Sequence, residues 1–241
     1  GSWVGRAAAG DFGDSYYFNK PVVGILFQRM KVTGLLAVFS IGFAIVVSIS
    51  LGIIAAVKQN TIYDRITLGL ATIGQATPSF WLGLKLIVVF SVKLRWLPVS
   101  GSESLLHFVL PTIVLGYYAT PSMMRLTRAG MIEALESDYI RTARSKGLLP
   151  HTILFKHAIR NAILPVISVA AVEFGFILGG SVVVESVFTL HGIGLLVWES
   201  ISRNDFPTIQ AIILVYAMIY VGLTFLADFI NAWLDPRLRV A

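Results

Sequence analysis

Charged residues are absent from long stretches of this chain. Thr33 to Val57 and His107 to Met124 carry none, Ile66 to Val92 carries only Lys85, Thr208 to Trp233 only Asp228, and Ala162 to Val184 only Glu173 near its middle. An α-helix needs about 20 apolar residues to cross the hydrocarbon core of a bilayer. A helix also satisfies its own backbone there, which an isolated strand does not. The pattern therefore predicts five transmembrane helices. A β-barrel would show alternating stretches of about ten residues, and these uniform runs do not alternate. Prolines fall inside several spans: Pro78 in the second, Pro111 and Pro121 in the third, Pro165 near the start of the fourth. Proline removes a backbone donor and kinks a helix. Two readings fit, packing geometry and broken helices that line a cavity.

Composition narrows the class. The chain has 241 residues, 56% hydrophobic and 13% charged, with a mean hydropathy of +0.79. An average soluble domain is about 25% charged. Half that share cannot coat a water-facing surface of this size, which excludes a soluble enzyme or signalling domain. Such hydrophobicity also excludes disorder. The net charge of +6 would suit nucleic acid or anionic lipid, and the hydropathy decides for the lipid bilayer, with no nucleic acid. No cysteine is present, so disulfides, thiolate metal sites and thiol catalysis are excluded. The fold class is an all-α integral membrane protein with one membrane domain.

Lysine and arginine in the loops set the orientation. Arg125, Arg128, Arg141, Arg144, Lys146, Lys156 and Arg160 all fall in the loop 125–161; Lys58, Arg65, Arg237 and Arg239 add to the same side. That places 125–161 and the tail 235–241 in the cytoplasm. Residues 1–32 become an extracytoplasmic segment without a span, and 33–234 the membrane domain. No signal peptide is visible. Five crossings that start outside predict a preceding helix, hence six in the full-length chain, with the leading Gly-Ser either a cloning scar or the start of a fragment.

The loop is the longest polar break. Ser137 is placed to cap a helix and Asp138 to favour its positive end. Tyr139, Ile140, Ala143 and Leu148 then form a small apolar set among Arg141, Arg144 and Lys146. Gly147 is a stop signal, and Pro150 opens a second short helix carrying Ile153, Leu154 and Phe155. Two amphipathic helices in a basic loop have three readings: a lipid-surface anchor, a plain connection, or a knob for a groove on a cytoplasmic partner.

The stretch Asp138-Tyr139-Ile140-Arg141-Thr142-Ala143-Arg144-Ser145-Lys146-Gly147-Leu148, followed by His157 to Pro165, resembles the EAA loop of ABC importer permeases. The likeness is greatest to the dipeptide, oligopeptide and nickel branch. It continues through Pro78 to Gly83, Gly179 to Phe188, Gly192-Ile193-Gly194, Asp205-Phe206-Pro207, Leu234 to Arg237 and, upstream, Gly10 to Gly13. It covers nearly the whole chain. The general Glu-Ala-Ala is here Arg141-Thr142-Ala143, Ala162 stands where isoleucine is frequent, and the spacing from Gly147 to Leu164-Pro165 is longer. These departures resemble the peptide branch.

The resemblance implies a transport subunit, not an enzyme, in a bacterial or archaeal inner membrane. It implies a second homologous permease, two cytoplasmic ABC ATPase subunits and an extracytoplasmic solute-binding protein. No Gly-x-x-x-x-Gly-Lys-Ser/Thr phosphate loop occurs in the sequence, so ATP and Mg would be bound by the partner ATPases, and no cofactor or metal is expected in this chain. The ATPase-coupling residues implied are Tyr139, Ile140, Arg141, Thr142, Ala143, Arg144, Lys146, Gly147 and Leu148, with Tyr139, Ile140 and Leu148 as apolar anchors. A charged Ala143→Asp is expected to uncouple ATP hydrolysis from uptake.

Candidate pathway residues are Gln75, Thr77 and Ser79 beside Pro78, and Glu173, an ionisable group inside a span. Each also fits hydrogen bonding between helices. Lys85 is read as snorkelling to the interface. Gly175 and Gly179 are read as a close-packing pair, and Glu185 and Asp205 as solvated loop carboxylates outside.

An ion-coupled secondary transporter is the alternative, but no inverted repeat is seen and the basic loop would be unexplained. His107, His151, His157 and His191 form no His-Glu-x-x-His pair and no Gly-x-Ser-x-Gly elbow occurs, against an intramembrane enzyme. No repeated filter suggests a channel. Peptides are the commonest solute implied; nickel chelates, glutathione and some sugars are carried by relatives.

Overall fold

The computed structural model describes residues 5–7 and 9–234. The tail 235–241, with Arg237 and Arg239, lies outside the described residues, as does most of the motif that starts at Leu234. The described residues contain helices and no strand; one isolated bridge pairs Asp14 with Pro21. The chain forms two compact units. The first comprises Gly1–Ser40, Pro78–Leu115 and Phe174–Thr224; the second comprises Ile41–Thr77, Gly116–Glu173 and Phe225–Ala241.

Helix α1 is Val22–Val57, about 54 Å at 1.5 Å per residue. It starts well before Thr33, where the apolar run begins. The polar residues Gln28, Arg29 and Lys31 share these turns with an apolar stripe. Val22 and Leu26 are buried, and Ile25 and Met30 pack against the same cluster, formed with Ile193, Leu196, Ala211, Ile212 and Val215. The Arg29 guanidinium lies 3.4 Å from the Glu199 carboxylate. Residues 22–32, expected as part of a segment without a span, thus extend the first helix, because burial of one face outweighs the polar face.

Helix α2 is Ile62–Ala76. It stops because Thr77 precedes Pro78, and proline drives the residue before it out of the helical region. Thr77 (ψ 121°) and Pro78 (ψ 133°) are both extended. Helix α3 is Ser79–Leu86, continued by wider i→i+5 turns over Ile87–Lys93. Helix α4 is Leu106–Glu136 and runs unbroken through Pro111 and Pro121. Helix α5 is Asp138–Ser145. Pro150–Thr152 forms α6, Ile153–Ala158 makes wide turns, and Ile159–Ala162 forms α7. Helix α8 is Leu164–Phe188, with Pro165 in the first turn, where its missing N–H costs nothing. Helix α9 is Ile193–Ser202 and α10 is Phe206–Leu234. Only Pro78 therefore interrupts a predicted span.

By length and composition, α1, α8 and the Phe206–Leu226 part of α10 can each cross a membrane, and α2 with α3 and its continuation can do so as one broken span. The remaining predicted span, the third, His107–Met124, lies inside α4, which is less apolar: Thr112, Tyr117, Tyr118, Thr120 and Ser122 dilute it. Its interior is nonetheless well covered. Phe108, Leu110, Val114, Leu115, Ala119, Thr120, Met123 and Met124 are all buried. A helix clothed by protein has no need to be apolar all round. Helix α9 was not foreseen: the sequence pattern left 185–207 as loop, although Ile193, Leu195 and Leu196 are buried there.

Candidate functional site

The loop 125–161 begins on α4 and is built within the second unit. Ser137 occupies the N-cap of α5 with extended backbone (ψ 154°), but its hydroxyl donates back to the Ala134 carbonyl and caps no N–H. Asp138 pairs with Arg141 at 3.2 Å in full solvent. The helix ends as its glycine dictates. Gly147 takes φ +74°, its N–H donates to the Arg144 carbonyl at 3.0 Å, and the Leu148 N–H to Ala143 at 3.3 Å. That pair of bonds is the Schellman closure.

Helix α5 has two unlike faces. Ile140, fully buried, and Ala143 point into a cluster with Ala56, Met131, Ala134, Ile153, Ala158 and Ala162. Tyr139, Arg141, Thr142, Arg144, Lys146, Gly147 and Leu148 are exposed. The set expected to anchor a partner is thereby corrected at one position. Ile140 lies three residues from Ala143, on the face turned to the chain's own core, while Tyr139 and Leu148 stay outward. The Tyr139 hydroxyl accepts a bond from Asn161 Nδ2 at 2.9 Å. Beside α5 lies an open cleft of about 640 Å³, lined by Val57, Leu135, Arg144, Leu148, His151 and Phe155 among others.

Two contacts brace this loop. Arg128 donates from Nε to Asp64 Oδ1 at 2.7 Å and from Nη2 to Oδ2 at 2.8 Å. Asp64 is buried, so the planar fork is matched to a sheltered carboxylate, the strong form of this interaction. On the other side, α1 meets α4 at Gly52, where an added methyl would stand 2.5 Å from Thr127 Cβ.

Of the expected pathway residues, three lie in the second unit. Gln75, exposed, accepts a bond from Arg125 Nη1 at 3.3 Å. Glu173 accepts one from the Ser122 hydroxyl at 2.6 Å. Thr77 turns its hydroxyl back to the Ile73 carbonyl at 2.7 Å. Ser79 belongs to the first unit, half-buried in the opening turn of α3. Arg125 was read only as a loop charge; its i, i+3 spacing from Ser122 was the available signal.

In the first unit the structure corrects the reading of two carboxylates. Glu185 and Asp205 were expected to be solvated, and both are fully buried. Glu185 Oε1 accepts from the Thr33 hydroxyl at 2.8 Å and Oε2 from the Leu195 N–H at 3.0 Å, while Thr33 Oγ1 accepts from the Ile193 N–H at 2.8 Å. The carboxylate therefore caps α9, whose first N–H groups have no partner within the helix. Glycine is required on both sides: a methyl at Gly192 would collide with the Glu185 carboxylate, and one at Gly194 would stand 2.7 Å from Val182 Cα. Asp205 precedes α10 and accepts from the hydroxyls of Ser15 and Thr208 and from the Tyr16 N–H. Burial alone would raise this carboxyl, but those donors hold it below its ordinary value.

The remaining expectations divide. Lys85 Nζ sits 4.1 Å from the centre of the Trp81 ring, an exposed cation–π pair. Close packing is found at Gly175, where a methyl would touch Tyr220 at 3.4 Å, and not at Gly179, which has nothing within 4 Å. Both line a cavity of about 120 Å³ with Tyr216 and Tyr220.

Comparison with known proteins gives a consistent answer. Residues 48–240 match the family described as binding-protein-dependent transport system inner membrane component. The chain is similar to the glutathione transport system permease protein GsiC of Escherichia coli (strain K12), 39% identical over 237 residues, which is 98% of this chain and 78% of that protein. The same permease of Pectobacterium atrosepticum is 39% identical over 230 residues, 95% of this chain and 75% of that one. Among solved structures, the inward-facing MetNI methionine ABC transporter matches with a TM-score of 0.73 and 16% identity, over 88% of this chain and 96% of that chain. An amino acid ABC transporter matches with a TM-score of 0.65 and 14% identity, over 86% and 93%. The structural likenesses speak for the fold, and the sequence matches for the lineage: this chain belongs to the family of binding-protein-dependent transport system inner membrane components, as an ABC importer permease of the dipeptide, oligopeptide and nickel type.

Proposed function

We propose that this permease forms half of a translocation pathway for peptide-sized solutes. It pairs with a second homologous permease, receives solute from an extracytoplasmic binding protein, and is driven by two ATPase subunits beneath it in a bacterial inner membrane. ATP and Mg belong to those subunits. The loop 125–161 faces the cytoplasm, with residues 1–32 outside and 33–234 as the membrane domain. The glutathione named for the similar GsiC proteins is a tripeptide and falls within the same solute class.

One observation carries the coupling mechanism: the two faces of α5. The outward Tyr139, Arg141, Thr142, Arg144, Lys146, Gly147 and Leu148 offer an ATPase groove apolar and basic contacts. The inward Ile140 and Ala143 lock the helix to α4 and to the Ile153–Ala162 stretch. A push on the outer face is therefore passed to the span ends rather than absorbed by a loose loop. Gln75, Thr77, Ser79 and Glu173 are assigned to the pathway.

Reconstitution with partner ATPases and binding protein tests this reading. Arg144→Glu and Leu148→Glu change only exposed positions. They are expected to keep a folded permease and ATPase turnover while uptake falls about tenfold. Ala143→Asp, which buries a carboxylate among Met131 and Ile153, is expected to abolish uptake by loosening α5. Normal uptake in all three variants, or uptake by this chain alone without ATP, overturns the proposal.

A further inference from the structure

We infer that Arg125, Gln75, Ser122 and Glu173 form a split charge site that recognises a solute bearing both a cation and an anion; the inference rests on the permease reading above. All four residues lie in the second unit. Helix α4 supplies Ser122 and Arg125, which share a face at i, i+3 spacing. Ser122 reaches across to Glu173 on α8 at 2.6 Å, and Arg125 reaches across to Gln75 at the end of α2 at 3.3 Å. The result is a continuous polar row over three helices, with a guanidinium towards one end and a carboxylate at the other.

The row runs from inside a span to the start of the polar loop. Gln75 closes α2, whose first turn holds the Asp64–Arg128 pair; at 1.5 Å per residue it stands about 16 Å from that pair along the axis. Glu173 stands about 14 Å into α8 from Leu164. Glu173 is central to the apolar run Ala162–Val184, whereas Arg125 is the first residue after the run His107–Met124. An ionisable group inside a span, as Glu173 is, faces a bundle interior or a water-filled path, not lipid. Arg125 and Gln75 are exposed on the chain itself, where α4 passes into the loop 125–161, so this end of the row is open to water at the cytoplasmic mouth of the proposed path.

The pairing inside the row is also incomplete. No carboxylate lies within ion-pair distance of Arg125 among the described residues, in contrast to Arg128, which is fully matched by Asp64. Its partner is a neutral amide at the long end of hydrogen-bond range. Among the described residues, Glu173 is held only by the Ser122 hydroxyl. A cation and an anion on one face, each held by a neutral partner and not by the other, are complementary to a zwitterion. The ammonium of a free amino terminus would meet Glu173, and a free carboxylate would displace Gln75 from Arg125 in a bidentate bond.

The test uses the assembled importer in membranes. The chain has no cysteine, so Ser122→Cys gives one thiol in it, read on this chain by mass. Cationic and anionic methanethiosulfonate reagents are expected to label it from water. Adding Glu173→Gln should lower the cationic-to-anionic rate ratio about fivefold, and Arg125→Gln should raise it by a similar factor. In a second arm, uptake of one tripeptide is compared with its N-acetylated and C-amidated forms. Glu173→Gln should erase preference against the N-acetylated form, and Arg125→Gln preference against the C-amidated form. The binding protein is the same throughout, so a changed ratio belongs to this chain. A thiol at position 122 that no aqueous reagent reaches, or variants that scale all three uptakes equally, overturns the site. Loss of the ATP requirement in the unmutated importer would instead overturn the permease reading, with the labelling ratios unaffected.

Discussion

Glu185 shows how a single buried carboxylate can set the course of a chain. It gathers the Thr33 hydroxyl and the Leu195 N–H, and each is a donor that lipid and protein alike would leave unsatisfied. Glu185→Ala is expected to cost about 1–3 kcal/mol for each buried donor left unpaired, measured as thermal unfolding in detergent. Thr33→Val should destabilise in the same direction, since Ile193 N–H loses its acceptor. Asp205 makes a pH-dependent contribution of definite sign. Its carboxyl is held below the ordinary value of 3.8 despite burial, so the folded state favours the ionised form. The stabilisation is complete above that ordinary value and is lost as the pH falls through the depressed one. Melting temperatures across the acidic range should show this loss, and Asp205→Asn should flatten it. Neither carboxylate was legible as buried. Both adjoin short loops, and their donors come from far along the chain, Thr33 and Ser15, which no local pattern connects to them.

Among elements, the signals that were local were readable and those that depended on neighbours were not. Gly147 and Pro150 act within one turn, and the structure places the stop of α5 and the start of α6 where they direct, while Ser137 stands at the N-cap without capping through its side chain. The break at Thr77-Pro78 follows from the same kind of local rule. The start of α1 was missed because Val22 and Leu26 become core only when Ile193 and Ile212 pack against them. Helix α9 was missed for the same reason, its apolar run being too short to announce a helix alone. The orientation of Ile140 likewise needed Met131 and Ile153 in place. The crossing of α1 and α4 makes an element-scale prediction. Gly52→Leu would drive a side chain into Thr127 and the Met124 carbonyl. Overpacking of this kind costs about 1–3 kcal/mol, and a lowered melting temperature with unchanged helix content by circular dichroism would register it.

For the whole molecule, the proposed partnership with ATPase subunits predicts that the energy for transport enters through an interface. Proteoliposomes containing this permease alone are expected to show no ATP-dependent accumulation of tripeptide, and co-reconstitution with its ATPases and binding protein to restore it. The composition of α4 bears on how such a molecule is made. The flanking spans are apolar enough to partition into a bilayer unaided. Helix α4, with its tyrosines, threonines and prolines, is less apolar than they are, yet α1, α2 and α8 each touch it, at Thr127, Arg128 and Ser122. An ordered biogenesis is the expected consequence. The expected order is that the early spans leave the translocon first and α4 stays beside them until α8 emerges, so that the most polar crossing enters the membrane as a passenger of its neighbours.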